Sequence, residues 1–184
     1  MTSRCHYDNI PTGRTYGTAD FRMIPGVRNG EKMGEIEQRE SKYDCLRLDN
    51  QLCFPLYVCS KEIIRRYKPY LDELDLTYTQ YITMMAVWEH HEMKVKELGK
   101  CLFLDSGTLT PVLKKLESKG YLERSRSHTD ERNLIVTITE EGKKLRERAL
   151  GVPGKMACCV NLSGEEAETL YVLLYKTLHN IMQD

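Results

Sequence analysis

Residues 105–138 read DSGTLTPVLKKLESKGYLERSRSHTDERNLIVTI, and this stretch decides the fold. Asp105 is a good helix N-cap residue, and apolar residues follow it at helical spacing. Gly120 stands where a helix C-terminus favours glycine. After it the pattern changes to alternation, and the polar turn at 127–133 leads into the β-branched run at 134–138. The stretch therefore predicts a helix followed by a β-hairpin.

Two shorter helices are predicted before this stretch. Residues Thr77-Tyr78-Thr79-Gln80 form a capping box that opens a helix through Trp88, and a short helix follows around Val95–Leu102. Two short helices, a longer helix and a hairpin, in this order, make a winged helix-turn-helix, whose longer helix fits the major groove of DNA. The expected fold class is mainly α with a small β-wing (α+β).

A longer helix is predicted at the start of the compact domain, at residues 50–74. Asn50 is predicted to cap it. Pro55 lacks an N–H, so it is expected either to kink the first turns or to reset the start of the helix.

Helical spacing returns after the hairpin, from Glu140 to about Leu150. Pro153 and Gly154 are expected to break this helix or to mark a bend. Ser163–Glu166 is a second capping box in front of a long apolar stripe. The wide stripes on the first and last helices predict a homodimer. The predicted organisation is a flexible extension at 1–45 and a winged-helix domain at 46–184, with a DNA-binding core at about 77–139 and dimerisation helices at about 50–74 and 140–182.

The chain has 27 basic and 27 acidic residues, so a nucleic-acid interface has to rest on a local patch. Small hydroxyls lie in the first turn of the predicted helix, and cations lie further along it and on the hairpin. Asp130 can orient Arg132 at the wing tip, where an arginine suits the narrow minor groove. The residues predicted to serve in DNA binding are Ser106, Thr108, Thr110, Lys114, Arg124, Arg126, Asp130 and Arg132.

No segment resembles a membrane span or a secretory signal, which predicts a cytoplasmic protein. The seven cysteines are an odd number and form no even disulfide framework. They are expected to be thiols or redox groups.

Several short motifs resemble one branch of a known family. They are Gln51-Leu52-Cys53-Phe54, Tyr67-Lys68-Pro69, Thr77-Tyr78-Thr79-Gln80-Tyr81, Leu104-Asp105-Ser106-Gly107-Thr108-Leu109-Thr110-Pro111 and Asp130-Glu131-Arg132. Together they are similar to the OhrR-type, organic-hydroperoxide-sensing branch of the MarR family of regulators. The resemblance covers roughly residues 46–182.

The resemblance implies a homodimeric repressor of a palindromic double-stranded DNA operator, without cofactor or metal. Cys53 matches the thiol that organic hydroperoxide oxidises to a sulfenic acid, after which DNA is released. Tyr57, Tyr67 and Tyr78 match tyrosines that hold this thiol. Cys158 and Cys159 match the region of a resolving cysteine, with the better spacing at Cys158, and a low-molecular-weight thiol is the other partner that the family uses.

The residues around Cys53 suit this chemistry. A helix N-terminus favours a thiolate, and an exposed thiolate is the form that peroxide oxidises. The apolar neighbours Leu52, Phe54 and Leu56 favour an organic peroxide over hydrogen peroxide. Cys59 lies six residues further on and largely off the face of Cys53, so it is a poor resolving thiol.

Three other readings stay open. One is a MarR-type regulator that a small aromatic ligand releases from DNA, without any role for a cysteine. Another is a thiol peroxidase that uses Cys53 and Cys158. A non-enzymatic protein is expected instead, because a peroxidase would have no use for a helix-turn-helix and a wing. The last is a metal sensor built from His90, His91, Glu92 and Cys101, whose adjacent histidines point about 100° apart on a helix.

Overall fold

The computed structural model describes residues 43–126 and 133–183. They form seven α-helices and a small antiparallel sheet, which confirms the predicted class, mainly α with a small β-wing. Two 3-10 turns, Asp44–Leu46 and Leu48–Asn50, precede α1 Cys53–Asp72, α2 Tyr78–His90, β1 Glu92–Lys94, α3 Val95–Leu102, α4 Ser106–Ser118, β2 Leu122–Arg126, β3 Leu134–Ile138, α5 Glu140–Ala149, α6 Val152–Val160 and α7 Gly164–Ile181. The chain divides into two compact units between Ile63 and Ile64, within α1.

The predicted cap at Asn50 was wrong, because α1 begins at Cys53. The Asn50 amide instead donates to the Asp44 carbonyl oxygen at 2.7 Å. The later start puts Pro55 in the first turn, where a backbone N–H has no intrahelical acceptor and its loss costs little. Of the two effects expected of Pro55, resetting the helix start is therefore the one that occurs.

The N-terminal caps predicted for α2 and α4 are confirmed. Thr77 and Gln80 form a reciprocal capping box at α2, with distances of 3.0 and 3.3 Å. At α4 the Asp105 carboxylate accepts from the backbone N–H of Thr108 at 2.8 Å. Gly120 follows α4 with a φ of 74°, which is a conformation that glycine adopts without strain.

The hairpin is confirmed, and a third strand joins it. Strand β3 lies between β1 and β2 and is antiparallel to both, with Val136 paired to Met93 on one side and to Arg124 on the other. Sequence patterning missed β1 because it has only three residues and its pairing is non-local. The turn at 127–132 lies outside the described residues.

The segment around Pro153 is a separate helix, a more definite outcome than the predicted break or bend. Pro153 occupies the first turn of α6, where proline is well tolerated. The second capping box is confirmed, because Ser163 and Glu166 bond to each other's backbone N–H at the start of α7. Among the helices of the described residues, none is both long enough and apolar enough to cross a membrane.

One apolar core holds the second unit together. It includes side chains from the end of α1, from α2 to α6 and from the sheet. Its fully buried members include Leu71, Met84, Val87, Leu98, Leu109, Leu113, Leu116, Leu122, Val136 and Leu145.

Gly142, in the first turn of α5, lies against the start of β2. A Cβ added to Gly142 would stand 2.1 Å from the Tyr121 carbonyl oxygen and 2.9 Å from Cγ1 of Ile138. Backbone cannot yield as a flexible side chain does, so this position accepts only glycine.

We expect Gly142→Ala to destabilise the fold by about 1–3 kcal/mol, because overpacking against backbone outweighs the better helix propensity of alanine. Gly154→Ala is the matched control, since Gly154 is also helical and has open space around its Cα. That control should be neutral or stabilising by up to about 1 kcal/mol. Thermal and urea unfolding followed by circular dichroism measures both, and equal effects would contradict the close approach.

Candidate functional site

Helix α4 has a buried face and an exposed face. Leu109, Leu113 and Leu116 are fully buried in the core. Ser106, Thr108, Thr110 and Lys114 are exposed on the rest of the helix surface. The core therefore holds α4 by one side and leaves a polar surface, which is the arrangement that a helix needs to enter a DNA groove.

The hydroxyls in the first turn of α4 differ in whether they already donate a hydrogen bond within the chain. Thr108 donates to the Asp105 carboxylate at 3.0 Å, and Thr110 donates to the Ser106 carbonyl oxygen at 2.7 Å. The Thr108 backbone N–H is the largest cause of the lowered pKa of Asp105, which keeps this cap ionised. Across the described residues, the Ser106 hydroxyl has no hydrogen-bond partner, so its O–H is available to an external acceptor.

The cations predicted to contact DNA are in unlike environments. Arg124 is bound within the chain, because its guanidinium donates to the Glu117 carboxylate at 2.9 and 2.5 Å. The hydrogen bonds from Arg124 lower the pKa of Glu117, so the pair is ionic. Lys114 and Arg126 are exposed. Asp130 and Arg132 fall in the wing turn and lie outside the described residues.

A groove of about 820 Å³ lies beside the start of α4. It is lined by residues of α3, the α3–α4 turn, the start of β3 and the end of α7. Phe103, Leu104 and Leu134 supply apolar surface, and Lys96 and Lys100 supply cations.

Cys53 is the first residue of α1 and is exposed. Its position places it beside the unpaired backbone N–H groups of the first turn, to which Pro55 contributes none. Tyr57, one turn further on, is also exposed. Cys59 is exposed as well.

The other two predicted tyrosines belong to a packed aromatic group. The ring centroids of Tyr67 and Tyr78 are 5.0 Å apart, and Tyr81 lies 5.9 Å from Tyr67. Burial raises the pKa of Tyr67, and the neighbouring Tyr78 and Tyr81 raise it further. Burial likewise raises the pKa of Tyr78 and of Tyr81. All three phenols therefore keep their protons and can donate hydrogen bonds.

Sequence reasoning did not include Tyr81 or Trp88 in this group. Tyr81 is buried and its ring meets that of Trp88 edge-on, at 6.2 Å between centroids. The spacing of Tyr78, Tyr81 and Trp88 is helical and placed them near one face of α2, which was a usable signal.

The two resolving candidates lie side by side on α6 but differ in surroundings. Cys158 is exposed, whereas Cys159 is half-buried against the core. The Cys159 sulfur is 3.9 Å from the Tyr70 hydroxyl, and the Lys155 ammonium stands 5.1 Å above the Tyr70 ring. Cys158 is thus the more accessible of the two thiols.

Two residues of the metal-sensor reading, His91 and Glu92, serve local structure. Glu92 accepts a hydrogen bond from Thr137 across the sheet at 3.3 Å, and His91 ends α2 with a φ of 62°. Within residues 43–126 and 133–183, no three His, Cys, Asp or Glu side chains are grouped to hold a metal ion.

Helices α1 and α7 expose large apolar surfaces. None of the residues of α7 is buried. The exposed large side chains are Phe54, Tyr57, Val58, Ile63 and Ile64 on α1, and Leu170, Tyr171, Val172, Leu173, Leu174, Tyr175 and Ile181 on α7. Surfaces of this kind mark protein interfaces.

Comparison with known proteins agrees with this fold. Residues 65–148 match a family model described as the transcriptional regulator SarA/Rot. The chain is 44% identical over 144 residues to the organic hydroperoxide resistance transcriptional regulator of Bacillus subtilis, which covers 78% of this chain and 98% of that protein. It is 49% identical over 123 residues to the regulator SarZ of Staphylococcus aureus, which covers 67% of this chain and 83% of that protein.

Among solved structures, the chain is similar to AbfR of Staphylococcus epidermidis. Reduced AbfR bound to DNA superposes with a TM-score of 0.63 at 34% identity, over 77% of this chain and 99% of AbfR. A disulfide-formed AbfR superposes with a TM-score of 0.53 at 35% identity, over 78% of this chain and 97% of AbfR. The chain belongs to the MarR family of transcription regulators, in its OhrR-type branch.

Proposed function

We propose that this protein is a homodimeric, DNA-binding repressor that releases its operator when an organic hydroperoxide oxidises Cys53. The observation that carries the proposal is the exposed thiol at the first residue of α1, in a chain that also presents the polar face of α4. The relatives support it, because one is named for organic hydroperoxide resistance and AbfR has been solved reduced on DNA and with a disulfide.

The DNA contact follows from the shape of the second unit. Helix α4 enters the major groove with Ser106 leading, and the wing formed by β2 and β3 lies along the neighbouring backbone. Lys114 and Arg126 contribute exposed cations for phosphates. Asp130 and Arg132 complete the contact from the wing turn. A palindromic operator matches two such units in a symmetric dimer.

The dimer is supported by the apolar faces of α1 and α7. An isolated chain would leave these large side chains in water, and burying them is favourable by about 25 cal/mol per Å². A second copy of the chain presents the same apolar surface, so a symmetric interface satisfies both.

The sensing step is a two-electron oxidation. The Cys53 thiolate attacks one peroxide oxygen, the O–O bond breaks, and the alkoxide leaves and takes a proton to become an alcohol. Cysteine is thereby oxidised to a sulfenic acid, and the peroxide is reduced. The Cys158 thiol then attacks the sulfenic sulfur, so that an S–S bond forms and water leaves. We assign Tyr57, Tyr67 and Tyr78 to the support of the Cys53 thiol, because the protonated phenols of Tyr67 and Tyr78 are suitable hydrogen-bond donors to sulfur.

We place this chemistry in the cytoplasm, where reducing thiols return the disulfide to its starting state. Reduction resets the sensor, and the signal that oxidation gives is the release of DNA. This separates the repressor from a thiol peroxidase, for which DNA binding would serve no purpose.

Ser106→Ala should weaken binding to the protein's own promoter DNA by about five- to tenfold, because one hydrogen bond donated to the DNA is lost. Ser118→Ala is the matched control, since Ser118 lies at the other end of α4 and donates to the Lys115 carbonyl oxygen. Fluorescence anisotropy with labelled duplex measures both affinities. Equal affinities for the two variants would remove Ser106 from the contact.

Cys53→Ser should bind DNA as tightly as the wild type and remain bound after cumene hydroperoxide, because the serine hydroxyl is not oxidised under these conditions. The same anisotropy titration measures this, with Cys59→Ser as the control because Cys59 is an exposed thiol on the same helix. Release of the Cys53→Ser protein by peroxide would place the sensor elsewhere.

The resolving thiol should be Cys158, because it is exposed and Cys159 is packed beside Tyr70. Cys158→Ser should abolish the peroxide-induced link to Cys53, and Cys159→Ser should retain it. Non-reducing mass spectrometry of peroxide-treated samples identifies the linked peptides. The opposite pattern would exchange the roles, and a small-thiol adduct on Cys53 in the wild type would define a one-cysteine sensor.

The groove beside α4 supports a second candidate, a regulator that a small aromatic ligand releases from DNA. Its volume suits a small molecule, and its lysines suit a carboxylate. This candidate needs no thiol, so the Cys53→Ser protein would still release DNA on addition of an aromatic carboxylate.

A further inference from the structure

Trp88 joins α2 to the start of α5. It is the single tryptophan of the chain and is only 6% exposed. Its indole N–H donates to the Gly142 carbonyl oxygen at 2.8 Å, across 54 residues of sequence. A buried donor and acceptor that satisfy each other are costly to separate.

Gly142 belongs to a hydrogen-bonded junction that we call the wing base, made of Gly120, Tyr121, Thr139 and Gly142. The Thr139 hydroxyl donates to the Gly120 carbonyl oxygen at 2.6 Å and accepts from the Gly142 N–H at 3.0 Å. The Thr139 N–H donates to the Tyr121 carbonyl oxygen at 3.3 Å. Gly120 and Tyr121 connect α4 to β2, Thr139 connects β3 to α5, and Gly142 lies in the first turn of α5. A shift of Gly142 therefore displaces the end of α4 and both strands of the wing, β2 and β3.

The other side of Trp88 meets a continuous row of aromatic rings. Tyr81 lies edge-on to Trp88 at 6.2 Å, Tyr67 lies 5.9 Å from Tyr81, and Tyr78 lies 5.0 Å from Tyr67. Tyr81 is 3% exposed. A close-packed interior has no free volume in which such rings can shift independently, so displacement of one moves the next.

We infer that Trp88 is the positioning residue through which oxidation at Cys53 reaches the wing. The inference rests on the proposed function, which assigns Tyr67 and Tyr78 to the support of the Cys53 thiol. In the reduced protein the indole holds Gly142, and with it the wing base, in the DNA-binding arrangement. When oxidation moves the tyrosine pair, Tyr81 and Trp88 move with it, and the indole no longer holds Gly142. Coupling between Cys53 and the DNA-binding surface requires two states of the protein, and in this proposal the two states differ in the contacts of Trp88.

Trp88→Phe tests the coupling, because phenylalanine keeps an aromatic ring and lacks the N–H. For each protein we take the ratio of the DNA dissociation constant after oxidation to that of the reduced form. We expect this ratio to be about tenfold smaller in Trp88→Phe than in the wild type, because the reduced variant binds DNA more weakly. Mass spectrometry should show the same extent of Cys53 oxidation in both proteins. Met156→Leu is the matched control, since Met156 is 4% exposed in α6, and it should keep the wild-type ratio. An unchanged ratio in Trp88→Phe would overturn the inference.

The fluorescence of Trp88 can also be measured in the wild-type protein, so this second test does not require that the Trp88→Phe variant folds. With excitation selective for tryptophan, peroxide should shift the emission of the wild type to longer wavelength and leave Cys53→Ser unchanged. Full DNA release without any change in emission would overturn the role of Trp88 and leave the proposed function intact. Full oxidation of Cys53 with neither a change in emission nor DNA release would overturn both.

Discussion

The carbonyl oxygen of Tyr121 and the Cα of Gly142 approach so closely that no side chain fits between them. This contact brings α5 against the start of β2 and turns the Gly142 carbonyl toward Trp88. It therefore fixes where the wing leaves the core. Leu109, Leu113 and Leu116 hold α4 in the same core, so α4 and the wing keep a fixed position relative to each other.

Features that depend on neighbouring residues could be predicted from the sequence. The caps at Thr77, Asp105 and Ser163 each satisfy backbone donors three residues away, and all three mark helix starts in the structure. The strand β1 and the bond from Trp88 to Gly142 could not be predicted, because each joins residues 41 or more positions apart and leaves no local pattern.

The candidate site follows the same division. That Cys53 lies near a helix start is a local property, although the helix begins at Cys53 itself and is not capped by Asn50. That Arg124 is bound to Glu117 is a consequence of β2 packing beside α4, and a charge pattern alone does not reveal it. Likewise, Cys158 and Cys159 are neighbours in sequence and differ in burial only because α6 turns one of them toward Tyr70.

The balance of charge bears on why a small movement can switch DNA binding. Cations bound to phosphates supply affinity that tolerates changes of shape. Here the chain is neutral overall, Arg124 is paired with Glu117, and Lys119 is paired with Asp75 at 2.9 Å. Less of the affinity for DNA then comes from attraction between cations and phosphates, and more must come from the fit of α4 and the wing to the DNA grooves. A displacement of the wing base removes that fit without any change in charge.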